Sequence, residues 1–268
     1  DVITTTLQGY SGNLADNISK HNALLRHISE KGNKVYATGR SIVQELEYAQ
    51  NSTVHWYSGY ETLDTSPSDT FTAAEYSYKQ LAGNVVISGL EQVQNSGSDA
   101  IHNLVKARVR NLEKSLRNVL ASAIYADGTG NDGKEIGGLK FLVADTGLGT
   151  VGNINSSTYT WWKNQAATYT TAVAATNIQT RMNDMWMKCI RGADRPDIIV
   201  ADDDYFKAYM ASLQANQRFT SEDSAAAGFM NLMFMDAPVV FDDQCPDKHM
   251  YFLNTDYLFL RPAEDREF

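Results

Sequence analysis

The longest regular pattern of apolar and polar positions runs from Ser96 to Asp127, SGSDAIHNLVKARVRNLEKSLRNVLASAIYAD. Advanced at 100° per residue, Ile101, Leu104, Val105, Val109, Leu112, Leu116, Val119, Leu120 and Ala123 fall on one stripe. The spacing predicts an amphipathic helix of about thirty residues, roughly 45 Å long. Ser96 followed by Asp99 marks its start, and Gly128 marks its stop. Helices of three or four turns are usual, so this one reads as a spine for the fold.

Upstream the pattern changes. Residues 1–40 are polar and uneven, with one amphipathic run, Leu14 to Ile28, whose narrow apolar edge is Leu24, Leu25 and Ile28. Lys31 and Gly32 suit its C-terminus. Such an arm lies either on its own domain or over a neighbouring subunit. TVHWYSGYE (53–61) and TFTAAEYSYK (70–79) are rich in strand-favouring residues and flank the turn cluster TLDTSPSD. They predict a long hairpin with arms of roughly 30 Å. Trp56 and Tyr60 lie on one face and Tyr57 on the other, with Tyr76 and Tyr78 opposite. A lone hairpin is marginal in water, and apolar groups on both faces need cover. A second subunit could supply it. GNVVISGL (83–90) reads as a strand leading into the spine.

Downstream, a glycine-rich stretch, DGTGNDGKEIGGLKFLV, gives way to mixed character. Ile178, Met182, Met185, Trp186, Cys189 and Ile190 have helical spacing that ends near Gly192. PDIIV (196–200) reads as a buried strand, and DDDYFKAYMASL (202–213) as a helix with acidic residues at its start, where the dipole favours them. APVVFDD and MYFLNTDYLFL supply further short strands. This irregular alternation predicts an α+β fold.

Composition narrows the classes. Hydrophobic content of 43% and charged content of 21% are those of a folded chain rather than a disordered one. No apolar run is long enough to cross a membrane as a helix, so no membrane partner is expected. The first residues lack a basic, apolar leader, and the missing Met reads as a processed or trimmed start. Cys189 and Cys245 lie far apart and predict free thiols. A net charge of −9 argues against a dedicated nucleic-acid binder. Yet Lys106, Arg108, Arg110, Lys114 and Arg117 face only Glu113 on the spine, a basic island in an acidic chain.

Chemistry-bearing motifs fail on context. Gly128, Gly130 and Gly133 match GxGxxG but follow a helix and precede a loop, where no phosphate cradle forms. The run from Asp127 has Asp132 and Gly138 where a calcium loop needs Gly and Glu. Asp202, Asp203 and Asp204 suit a helix cap better than Mg²⁺, and Asp242, Asp243 and Asp247 have no partner at metal-ligand spacing. The histidines form no zinc motif. No catalytic, metal or cofactor-binding residue is assigned, and no cofactor is expected. The row Lys106, Arg110, Lys114 and Arg117 lies opposite the apolar stripe, with like charges at i,i+4. It is either solvated or meets acid, from another segment or a polyanion. Arg108 projects near the apolar stripe and is expected to have a carboxylate partner.

The order of elements — polar arm, hairpin, strand, spine helix, mixed domain — resembles the major capsid proteins of tailed bacteriophages, with the Hong Kong 97 fold. RVRNLEKSLRNVLASAIYADGTG, EIGGLKFLV, VGNINSSTYTWWKN, PDIIVADDDYF and APVVFDDQC…MYFLNTDYLFLRP look like that family's phrases in order. The resemblance implies an N-terminal arm (1–40), an extended loop with flanking strands (41–94), a peripheral domain on the spine (95–140), an axial domain (141–255) and a return to the peripheral domain (256–268). It implies a non-enzymatic coat subunit of the virion, assembled in the host cytoplasm. Such subunits form hexamers and pentamers that close an icosahedral shell around double-stranded DNA, which is held by non-specific contact. Portal, scaffolding and decoration proteins are candidate partners. Inter-subunit contact is expected at Trp56, Tyr57, Tyr60, Thr65, Ser66, Pro67, Ser68, Asp69, Tyr76 and Tyr78, with the tip Thr65 to Asp69 reaching over a neighbour. Family members have further chain after the axial domain, whereas this one stops at RPAEDREF. An encapsulin-type compartment with protein cargo shares the fold, and a soluble hydrolase with a site assembled only in three dimensions is the remaining alternative.

Overall fold

The apolar run IIVA forms a strand buried on both faces, and the second half of the chain is layered around it. The computed structural model describes residues 23–37, 39–90, 98–213 and 232–263, with backbone alone at 29 and 98–107. In chain order the elements are helix α1 (Ala23–Glu30), strands β1 (Ile42–Glu47) and β2 (Phe71–Tyr76) and helix α2 (Ser98–Ala123). Strands β3 (Thr150–Val151) and β4 (Ile154–Asn155), helix α3 (Ile178–Cys189), strand β5 (Ile198–Ala201) and helix α4 (Asp203–Ser212) follow. Strands β6 (Leu232–Phe234), β7 (Ala237–Phe241) and β8 (Met250–Leu253) come last, and short helical turns stand at Gly130–Gly133, Leu139–Leu142, Thr160–Trp162 and Thr255–Tyr257. Helix and sheet are mixed, as the alternation predicts.

The main sheet has the order β6-β7-β5-β8, with β5 parallel to β7 and antiparallel to β8. Alternation along β5 sends its side chains into two cores. Ile199 joins Val239, Leu232 and Phe234 against Ile178, Met182 and Trp186 of α3 and Tyr209 of α4. Ile198 and Val200 join Tyr251 and Leu253 against Leu24 of α1, Tyr125 and Leu139. A strand covered on both sides reads as a continuous apolar run, which is why PDIIV is legible. Each of these fully buried aliphatic side chains contributes about 1.5–3 kcal/mol. Asp202 caps α4 by accepting from the Tyr205 N–H at 2.9 Å.

The spine is shorter than predicted. Its helix ends at Ala123, and Ser96, its expected cap, lies outside the described residues. The chain just past its last turn is pinned by the returning segment: Leu139 N donates to Ile124 O at 2.6 Å and Gly138 N to Ala126 O at 2.9 Å. The terminal carbonyls of the helix are met by its own exit, Leu120 O by Ile124 N, Ser122 O by Tyr125 N and Ala123 O by Ala126 N, each at 3.2 Å. A Cβ on residue 138 would stand 2.1 Å from Ile124 O, so only glycine permits this approach.

The hairpin is real, but its first arm is not the predicted one. IVQELE (42–47) pairs antiparallel with FTAAEY (71–76), placing Ile42 opposite Tyr76 and Leu46 opposite Thr72. Positions 42, 44 and 46 of β1 and 72, 74 and 76 of β2 turn inward. There Ala74 and Tyr76 meet the β3–β4 turn at Gly152, whose φ is +58°. The aromatic run 53–61 is no strand. Strand-favouring residues express their preference on a half-buried surface, and the chain supplies none there. Residues 83–88 are not a strand either; Gly83 lies against the side chains of Leu112 and Leu116 of the spine.

Of the predicted Leu14–Ile28 helix, residues 14–22 lie outside the described residues; α1 covers the rest and runs to Glu30. Leu24 and Leu25 are buried in the chain's own core, so this part of the arm covers its own domain. After β8, the backbone of 260–262 pairs alongside 33–37: Val35 N donates to Leu260 O at 3.0 Å and Leu260 N to Asn33 O at 2.9 Å.

Gly138→Ala should lower unfolding stability by about 1–3 kcal/mol, because the new methyl must displace a main-chain carbonyl. Gly149→Ala, where an added Cβ meets nothing within 4 Å, should leave it unchanged. Urea denaturation of both variants makes the comparison.

Candidate assembly surfaces

The connection between β1 and β2, residues 48–70, is the most exposed part of the described chain. One further rung, Tyr48 N to Thr70 O at 3.0 Å, extends the ladder, and Ser52 N then reaches only Ser68 Oγ at 3.3 Å. Beyond that the loop is held by local turns: Asn51 Oδ1 accepts from Thr53 N, and Asp64 Oδ1 from Ser66 N, both at 2.9 Å. Trp56 and Tyr60 are fully exposed and Val54 is 81% exposed. The root is fixed, since Tyr48 stacks on Trp161 at 5.1 Å, which in turn meets Trp162 edge-on at 5.7 Å. The Tyr48 hydroxyl is hydrogen-bonded to Asp69. An anchored root with an uncovered apolar end is a surface that a second molecule can bury.

Of the ten predicted loop contacts, Trp56, Tyr57, Tyr60, Thr65, Ser66, Pro67 and Asp69 are exposed and Ser68 is half-buried. Tyr76 and Tyr78 do not stand opposite them: both are half-buried in their own chain, Tyr76 against Gly152. On the spine, Arg110 and Lys114 are exposed, whereas Arg117 lies 3.5 Å from Glu113 and is largely covered. The side chain of Lys106 lies outside the described residues. Arg108 donates to the Val86 carbonyl.

Three aspartates act as joints, which spacing alone did not reveal. Asp197, just before β5, accepts from Lys31 Nζ at 2.5 Å, from Thr255 N at 2.8 Å and from the Thr255 hydroxyl, with His27 Nε2 at 3.2 Å. Partial burial pushes its carboxyl up, but the donors from Lys31, Thr255 and His27 outweigh it and hold the pKa down to about 2. This clamp fastens α1 to the sheet. Asp242 is buried and accepts from the Tyr125 hydroxyl at 2.7 Å, fastening the spine's exit. Asp202 caps α4 and also accepts from Lys248 N. The one available signal was an acidic residue directly flanking a buried apolar run.

Cys189 and Cys245 are free, and burial pushes the Cys245 thiol up to about 12 with help from Asp202 and Asp242. Among the described residues no group of three or more His, Cys, Asp or Glu side chains is arranged to hold a metal ion. No described helix is long and apolar enough to cross a membrane.

No family model and no curated protein matches the chain. Solved structures do: a chain of the cyanophage A-1(L) capsid asymmetric unit shares its fold with a TM-score of 0.60 and 21% identity. The match covers 85% of this chain and 69% of that one. The chain therefore has the mixed helix-and-sheet fold of that phage capsid chain.

Because the folded pKa of Asp197 lies below the ordinary value near 3.9, its ionised form favours the folded chain at pH 4 and above. That contribution is lost as pH falls toward 2. Asp197→Asn should therefore be less stable than the parent by about 2 kcal/mol above pH 4, with the gap closing toward pH 2. Urea midpoints across this range test it. Tyr125→Phe should cost about 1–3 kcal/mol at neutral pH by leaving the buried Asp242 carboxylate short of a donor; a matching loss in urea midpoint is the readout.

Proposed function

We propose that this chain is a structural shell subunit, the major coat protein of a tailed bacteriophage with the Hong Kong 97 fold. The observation that carries the reading is the fold shared with a phage capsid chain over 85% of the sequence. The extended loop supports it, because its exposed aromatics lack cover among the described residues. On this reading residues 1–40 form the arm, 41–94 the loop and its strands, 95–140 the peripheral domain, 141–255 the axial domain and 256–268 the return. The chain acts by burying surface against copies of itself in hexamers and pentamers, enclosing double-stranded DNA, and it catalyses nothing.

Electron microscopy of the purified chain tests this. Closed icosahedral shells are the expected result. A stable monomer at high concentration would sink the proposal, and shells that retain a protein cargo instead of DNA would point to a compartment of the encapsulin type.

A further inference from the structure

His249 directly precedes β8, and both of its ring nitrogens face oxygen atoms. Nδ1 lies 2.7 Å from the backbone carbonyl of Asp247, and Nε2 lies 3.2 Å from Oδ1 of Asp145. The ring is held in place: it stacks on Tyr251 with centroids 6.0 Å apart. Its backbone is fixed as well, His249 N donating to Pro246 O at 3.2 Å and His249 O accepting from Asp202 N at 3.1 Å. A carbonyl oxygen carries no proton, so Nδ1 must be the donor to Asp247 O. A neutral imidazole then offers only a lone pair at Nε2, which faces the Asp145 oxygen unfavourably. The imidazolium donates to both. The other charged or titratable groups around the ring are already committed. Asp202 has its oxygens taken by Tyr205 N and Lys248 N, and Asp242 by the Tyr125 hydroxyl and Gln244 N. Asp247 and Lys248 are exposed, and Cys245 Sγ lies 3.7 Å from His249 O. Burial pushes the Cys245 thiol and the Tyr251 hydroxyl up, so both stay neutral near pH 7.

We infer that His249 and Asp145 form a proton-operated latch, closed by the imidazolium, between the segment that returns from the spine and the end strand β8. The device belongs to the single chain and does not depend on the shell-subunit reading. Asp145 follows Leu139 and Val143, which pack in the core beneath β5. It lies in a turn closed by Gly147 N donating to Ala144 O at 2.8 Å, with Asn164 Nδ2 on the same carbonyl at 3.0 Å. Imidazole gains its second proton between about pH 8 and pH 5. Toward the acid end Nε2 donates and the latch closes. Toward the alkaline end that proton goes to solvent, Nε2 becomes an acceptor and the contact opens. Leu139 and Val143 stay in the core, so the part released is the turn at 144–148. The two side chains are 29% and 52% exposed, which lets water exchange the proton directly and keeps the latch weak enough to work in both directions.

Hydrogen–deuterium exchange of the full chain tests the latch, read on a peptide spanning 143–149 and corrected for the intrinsic exchange rate. In the parent, protection should fall about threefold between about pH 5.5 and about pH 8. Asp145→Asn should sit at the lower level at both pH values. His249→Gln should sit at the higher level at both, because its side-chain amide donates to Asp145 whatever the pH. Nitrogen NMR of the parent's imidazole gives a second reading that needs no variant. Both ring nitrogens should carry protons at the lower pH, and the proton kept at the higher pH should be on Nδ1. If a variant fails to fold by circular dichroism, the NMR reading decides alone. Protection in the parent that ignores pH overturns the inference, as does a pH response that survives in either variant. A neutral ring protonated on Nε2 overturns it as well.

Discussion

The rest of the fold depends on one close approach of backbone to backbone. Where the spine ends, residues 138 and 139 return to donate their N–H groups to the carbonyls of Ala126 and Ile124. The absent side chain of Gly138 is the condition for that contact. Closing the helix this way places Tyr125 and Leu139 side by side in the core beneath β5. The exit of the long helix is thereby packed against the four-stranded sheet. Elements attached to the spine inherit it: the segment around Gly83 lies on Leu112 and Leu116, and Lys79 reaches the Gly133 carbonyl in the exit loop.

Carboxylates wholly or partly buried fix the remaining joints. Asp197 holds α1, Asp242 holds the spine's exit through Tyr125, and Asp202 holds both α4 and the chain before β8. A buried carboxylate is costly unless donors surround it, so each is placed only where several N–H or O–H groups converge. Part of the chain's acidity is therefore structural. Glu61 and Asp64 of the extended loop are different, being exposed and bonded only within local turns.

This contrast divides the molecule. Around β5 two cores are complete, with aliphatic and aromatic side chains excluded from water on both sheet faces. The loop between β1 and β2 has no such core, although its composition is that of a strand. Its root is stacked on Trp161 and its outer aromatics are open to solvent. A segment with strand-like residues and no pairing strand among the described residues is suited to pairing with another chain.

Elements whose period and burial agree were legible from residues alone. The spine, α3, β5 and α4 show their apolar spacing, and Asp202 announces its cap, because each depends on neighbours within a turn or on cover from both sides. The order of those elements also carried the likeness to a phage capsid fold. The first hairpin arm was misread: 53–61 has the stronger strand composition, yet 42–47 forms the ladder, because pairing is decided by which face finds a partner at Gly152. The basic row was legible as a row, but that Arg117 is matched and Arg108 meets a carbonyl was not. The sequence by itself determined which segments can be helix or strand and where charge accumulates. The tertiary structure alone decided which strands pair, which aspartates are buried as joints and which apolar groups stay uncovered, since each depends on atoms brought together from distant parts of the chain.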